Sequence, residues 1–158
     1  MDTLPLPTGP LPTGVIVADD DPLIRSVLKS KLSTLGQEVY QAINGVEAVA
    51  LASRMQACLI ILDVRMPKMN GLKACAEIRK LPGYARTPIV MLTFAGGKDT
   101  QSLASRAGAT EFLIKPFATA ALMLALSRFL PIDGATQQAI QGDAVRAAAG
   151  QTFVRPRG

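Results

Sequence analysis

The 158-residue chain has no histidine and no tryptophan, holds two cysteines, and draws only 4% of its residues from the aromatics. Without histidine it lacks the side chain that most often titrates near neutral pH, and the usual nitrogen ligands of zinc are missing too. Cys58 and Cys75 show no metal-ligand spacing. They read as buried thiols in a strand and a helix rather than as a disulfide. No run reaches the roughly 18 consecutive apolar residues of a membrane span, and Met1-Asp2-Thr3-Leu4-Pro5 lacks the regions of a signal peptide. A cytoplasmic protein without membrane contact is the expectation. Residues 15–130 hold 14 basic and nine acidic side chains, so the net charge of +5 resides there. These charges are scattered and few rings are available for base stacking, which weighs against nucleic acid as a partner.

What the chain does have is short apolar runs alternating with helical patterns. Residues 1–13, with four prolines, form an expected flexible leader. Residues 14–130 read as one α/β domain with five strands: one from near Gly14, then Val39–Ala42, Cys58–Leu62, Ile89–Leu92 and Phe112–Ile114. Helices are expected over 22–35, with Ile24, Val27, Leu28, Leu32 and Leu35 inward, and after Asn44, with Val46, Val49, Ala50 and Met55 inward. Further helices are expected over 71–79, with Leu72, Cys75, Ala76 and Ile78 inward, near 98–107, and over 120–130.

In a parallel sheet the ends of these strands share one edge, where open α/β sheets place their sites. Asp19-Asp20-Asp21 follows the first strand, Asp63 ends the third, Thr93 the fourth and Lys115 the fifth. Each alone is ordinary: Asp21-Pro22 suits a helix start, and the others suit strand ends. Together they crowd carboxylates that repel one another unless a cation neutralises them. Oxygen-only ligands suit a hard ion, so Mg2+ is the expected cofactor. Such a site fits phosphoryl transfer. Asp63 is placed as nucleophile, and Thr93 and Lys115 as groups that hold phosphoryl oxygens.

These residues resemble the receiver domain of bacterial two-component response regulators. Asp19-Asp20 is similar to the family's acidic pair, and Asp63 with Met66-Pro67 and Gly71 to its phosphoacceptor loop. Thr93 and Lys115-Pro116-Phe117 match the remaining signatures, at spacings of 44, 30 and 22 residues from Asp19 onward. The resemblance covers residues 14–130 and implies a five-stranded, doubly wound parallel sheet of flavodoxin-like (βα)5 type, strand order 2-1-3-4-5. It also implies that Asp20, Asp63 and the backbone carbonyl of Arg65 bind Mg2+ with Asp19 assisting, and that Asp63 is phosphorylated. Thr93 and Phe112 would be the switch pair, Phe112 turning inward as Thr93 binds the phosphoryl group. Such a protein is a phosphoacceptor rather than an enzyme with a separate substrate, although it catalyses its own phosphorylation and dephosphorylation. Its partners would be a sensor histidine kinase or histidine phosphotransfer protein and a downstream target on the fourth helix, fifth strand and fifth helix. Arg65, Phe94 and Ala95 depart from common family choices at positions that tune access and phosphoryl lifetime. A phosphatase of the haloacid-dehalogenase type also uses a nucleophilic Asp, but needs a second Asp two residues later, where Arg65 stands.

The fifth helix is unusual in being apolar nearly all round, from Ala120 to Leu130. Such a surface needs a cover: a target, a second copy in a homodimer, or the chain's own tail. That tail, residues 131–158, is too short for a DNA-binding output domain with a linker, so a stand-alone receiver is expected. Its 135–149 stretch is either disordered or a helix docked across the fifth.

Overall fold

The computed structural model describes residues 12–94 and 98–147. Five strands, β1 (Thr13–Ala18), β2 (Val39–Ala42), β3 (Gln56–Asp63), β4 (Ile89–Thr93) and β5 (Glu111–Ile114), form one parallel sheet in the order β2-β1-β3-β4-β5. This is the doubly wound flavodoxin-like arrangement, and it follows from apolar strands that bury both faces. The helices are α1 (Pro22–Thr34), α2 (Gly45–Arg54), α3 (Gly71–Arg79), α4 (Lys98–Ala107), α5 (Thr119–Ser127) and α6 (Gly134–Ala147).

Strand alternation divides the core in two. Val15, Val17, Leu59, Ile61, Val90 and Leu92 point to the side where Leu28 and Leu32 of α1 and Leu122 and Leu126 of α5 pack. Ile16, Ile60, Leu62, Ile89 and Met91 point the other way, to Ala48 and Ala52 of α2, Cys75 and Ile78 of α3 and Ala104 of α4. The leader expected over 1–13 lies outside the described residues up to residue 11, and β1 already includes Thr13.

Helix α2 is turned partly away from the expected face, though Val49 still packs on the core and Met55 is buried. Helix α3 keeps Cys75 and Ile78 buried and Leu72 against the core as expected, while adding smaller residues. In α2 the buried side is Gly45, Ala48 and Ala52, whereas Val46 is 47% exposed and Ala50 is also exposed. A Cβ on Gly45 would collide with the Met69 carbonyl. A helix held that close has room for small side chains only on its inner face, so the larger Val46 sits outside. In α3 the buried set is Gly71, Ala74, Cys75 and Ile78, with Leu72 and Ala76 half-buried, for a related reason. A Cβ on Gly71 would meet the Asp63 carbonyl. In α1, Val27 is 38% exposed while Leu28 and Leu32 are buried. Cys75 is buried as expected but Cys58 is half-buried; both are free thiols.

Caps match the sequence signals. Asp21 accepts from Leu23 N at 2.9 Å with Pro22 opening α1, and Asn44 accepts from Glu47 N at 2.8 Å while Glu47 accepts from Ile43 N at 3.2 Å.

Far from the strand ends that carry the acids, Arg79 at the end of α3 donates to the carbonyls of Gly108 (2.9 and 2.7 Å), Tyr84 (2.8 Å) and Thr87 (2.6 Å). This cation ties the α4–β5 turn to α3. Tyr84, 1% exposed, donates its hydroxyl to the Met55 carbonyl at 2.7 Å and accepts from Ala57 N at 3.1 Å. Tyr84→Phe removes both bonds and leaves their partners in the interior. It is expected to lower the unfolding free energy by about 1–3 kcal/mol in urea titration; an unchanged midpoint would show that the hydroxyl is dispensable.

Candidate functional site

Register alone assembles the site. Ala18 pairs with Leu62, so Asp19 lies beside Asp63 one step further on, and Leu92 pairs with Asp63, so Thr93 follows at the same edge. Thr93 pairs with Ile114, and its carbonyl accepts from Lys115 N at 2.6 Å, which starts the turn that sends the lysine back across the edge. The loop after Asp63 returns through Gly71 N, which donates to Val64 O at 2.9 Å. Gly71 is needed there because a side chain would strike the Asp63 backbone.

Lys115 is 5% exposed and its Nζ lies 3.0 Å from Asp19 Oδ2 and 3.4 Å from Asp63 Oδ1. Asp19 is fully buried, Asp63 is 4% exposed and Asp20 is exposed at the rim. One carboxylate oxygen from each of the three lies within 4.8 Å of the others. Among the described residues this is the cluster of acidic groups able to hold a metal. Its donors are all oxygen and open to solvent on the Asp20 side, which fits a hard divalent cation that keeps some of its water. Burial, then the neighbouring Asp19 charge, push the Asp63 carboxyl up from 3.8 to about 6, while Lys115 pulls it down.

Thr93 is buried at 5% exposure, and Phe112, at 2%, already packs inward in the core that contains Met91 and Ala104. The inward swing expected of Phe112 is therefore not a change this structure has left to make. Phe94 is 65% exposed and its ring centroid lies 5.0 Å from Lys115 Nζ, a cation–π distance. Arg65 is exposed in the loop after β3. Ala95, the third access position, lies outside the described residues.

Sequence reasoning missed Arg25. Its Nη1 donates to the Asp19 carbonyl at 2.7 Å and its Nε to Gln41 Oε1 at 3.3 Å. Its place in the first turn of α1, just after the acids, was the available signal.

The family described as response regulator receiver domain matches residues 15–127. The chain belongs to this receiver family. The receiver is 35% identical to the chemotaxis protein CheY4 of Vibrio cholerae, covering 76% of this chain and 99% of that one at a TM-score of 0.70. It is 31% identical to the receiver domain of the sensor histidine kinase PA1611 of Pseudomonas aeruginosa, covering 75% and 98% at a TM-score of 0.67. That relative was solved with a magnesium ion coordinated in its active site cleft. A curated relative, the DNA-binding dual master transcriptional regulator RpaA of Synechocystis, is 35% identical over 103 residues, 65% of this chain and 43% of its own length. The chain thus spans well under two thirds of the length of the curated relatives it matches. The name of that relative removes support from the expectation that nucleic acid plays no part. Among the described residues no helix is long and apolar enough to cross a membrane.

Because the Asp63 pKa is raised above its unfolded value, ionising it opposes folding. Its contribution to metal-free stability is complete below pH 3.8 and is lost as pH rises through about 6. The metal-free melting temperature of the wild type, relative to Asp63→Asn, should fall between pH 4.5 and 7.5. At pH 7.5 the variant should be more stable by about 1–3 kcal/mol. Parallel pH profiles for the two proteins would contradict this electrostatic reading.

Proposed function

We propose that this receiver takes a phosphoryl group from the phosphohistidine of a sensor kinase or phosphotransfer protein onto Asp63. The observation that carries the reading is the buried Lys115 ammonium lying between the Asp19 and Asp63 carboxylates at the sheet edge, with Thr93 on the adjoining strand end. An Asp63 oxygen attacks phosphorus; the O–P bond forms, the N–P bond breaks, and the imidazole nitrogen keeps the electron pair of the broken bond. Lys115 takes up a phosphoryl oxygen and Thr93 donates its hydroxyl to another, so the charge removed from Asp63 is replaced by that of the phosphoryl group. Mg2+ held by Asp20, Asp63 and the Arg65 carbonyl, with Asp19 assisting, would offset charge on the transferring group. Arg25 keeps the chain at Asp19 in place while this happens.

The same reading has the receiver work in the cytoplasm and pass its state on through α4, β5 and α5, either to a target or by giving up the phosphoryl group in a relay. It acts on itself rather than on a separate substrate. The phosphatase alternative finds no support at Arg65, whose position offers no acid for a leaving group.

Asp63→Asn keeps the size of the side chain and removes the nucleophile, so it should abolish labelling from a phosphorylated kinase while circular dichroism is unchanged. Labelling of the wild type should also require Mg2+. Phosphate retained on the variant would overturn the assignment.

Phe94 stands over the amine that binds the phosphoryl group, at the entrance used by small reagents. Phe94→Ala should therefore speed both labelling by a small acyl phosphate and the loss of label, by severalfold each. Equal or slower rates for both would show that the ring does not limit access. The wild type, so shielded and without a polar side chain in Ala95-Gly96-Gly97 to orient water, loses its phosphoryl group slowly.

A further inference from the structure

Asp19 and Asp20 stand side by side at the sheet edge but are held very differently. Every polar group of Asp19 is engaged. Its N–H donates to the Ala42 carbonyl at 3.1 Å, its Oδ1 accepts from Asp21 N at 2.9 Å, its Oδ2 lies 3.0 Å from Lys115 Nζ, and its carbonyl accepts from Arg25 Nη1 at 2.7 Å. The Asp20 side chain, exposed at the rim, has no hydrogen bond or ion pair among the described residues. Yet one of its oxygens lies within 4.8 Å of oxygens of Asp19 and Asp63. Carboxylates repel one another at that range, and an unrestrained one at the rim turns to water. Its backbone must therefore aim it.

The peptide group is planar, so a hold on the Asp19 carbonyl oxygen also fixes the plane that contains the nitrogen and Cα of Asp20. Arg25 supplies that hold from the first turn of α1. The bond is short and charge-assisted, and no ion pair among the described residues competes for the guanidinium. Arg25 Nε donates to Gln41 Oε1 at 3.3 Å, and Gln41 sits on β2 in register with Val17 of β1. The guanidinium thus bridges the edge strand and the Asp19–Asp20 peptide. Other bonds already join these strands, including Val15 N to Glu38 O at 2.8 Å and the Asp19 N–H above, so the fold does not need the bridge to hold β1 and β2 together.

We propose that Arg25 is a positioning residue for Asp20: by holding the Asp19–Asp20 peptide it turns the Asp20 carboxylate across the rim toward Asp63, and Gln41 keeps the guanidinium in place to do so. A group behind a metal ligand that fixes the ligand's orientation is worth about tenfold or more in metal affinity. Charge alone predicts the reverse, since removing a cation beside three acids favours the binding of another cation. The inference rests on the reading of this cluster as a Mg2+ and phosphoacceptor site.

The test uses the full chain and Mg2+ alone at constant ionic strength, with affinity read from the shifts of amide resonances. Arg25→Ala should weaken Mg2+ binding by about tenfold. Gln41→Ala, which changes no charge, should weaken it by about two- to threefold. With Asp20→Asn already present, Arg25→Ala should bring no further loss. Labelling by a small acyl phosphate should need about tenfold more Mg2+ to reach half its maximal rate in Arg25→Ala. The maximal rate itself should stay close to that of the wild type, because Asp63 and Lys115 are untouched. Amide spectra away from the site and the metal-free urea midpoint confirm that each variant is folded. Binding that Arg25→Ala tightens or leaves unchanged, an unchanged affinity in Gln41→Ala, or an equal loss with and without Asp20→Asn would each overturn the proposal. An affinity that Asp20→Asn leaves unchanged would instead overturn the metal reading on which it rests.

Discussion

One buried ammonium faces two buried carboxylates at the edge of this sheet, and much of the structure serves to keep it there. Lys115 lies within 3.4 Å of both Asp19 and Asp63, and all three are almost wholly withdrawn from water. With Asp20 added at the rim, three acids stand against one base. Removing charges from water is costly unless they are closely paired, and here the pairing is incomplete by at least one charge. The raised pKa of Asp63 reflects its burial first and the neighbouring Asp19 charge second. A divalent cation would settle the imbalance by adding positive charge, and a phosphoryl group on Asp63 would keep the site negative and so keep the need for both the cation and Lys115.

The fold's regularities follow from holding this arrangement. Parallel register brings Asp19, Asp63 and Thr93 to the same edge, and the close approach permitted by Gly71 lets α3 start directly behind Asp63. Gly45 similarly lets α2 back onto the loop that follows. At the opposite end Arg79 and the core residue Tyr84 add hydrogen bonds to backbone carbonyls, so the end without the acids is tied down while the Asp20 side stays open. Rigid support on one side and access on the other is what a site that must accept and release a group requires.

The strand ends and their acids were legible because a strand's apolar run stops sharply where its chemistry begins: Val15 to Ala18 runs straight into Asp19, and Leu59 to Leu62 into Asp63. Helix caps at Asp21 and Asn44 were equally plain. Which side of α2 faces inward was not, because large apolar residues usually mark the inner face and here the close approach at Gly45 reserves it for Ala48 and Ala52. Arg25 and Arg79 escaped notice for a different reason. Both act on backbone carbonyls, at Asp19 and at Gly108, and no residue type in the sequence marks an acceptor of that kind. The apolar surround of α5 did signal a cover. That α6 supplies it was one of two readings of the tail, because Ile140 and Val145 are too few to decide between a docked helix and disorder in a segment rich in alanine and glutamine.

The central claim is that Asp63 is the group that becomes an acyl phosphate. Treating the protein with a small acyl phosphate and Mg2+, reducing the product with borohydride and mapping it by mass spectrometry locates the modified residue directly, since an aspartyl phosphate is reduced to homoserine. Homoserine at position 63 alone, absent when Mg2+ is chelated, is the result the account predicts. Homoserine at position 19 or 20, or none at 63 under conditions that label the protein, would contradict it.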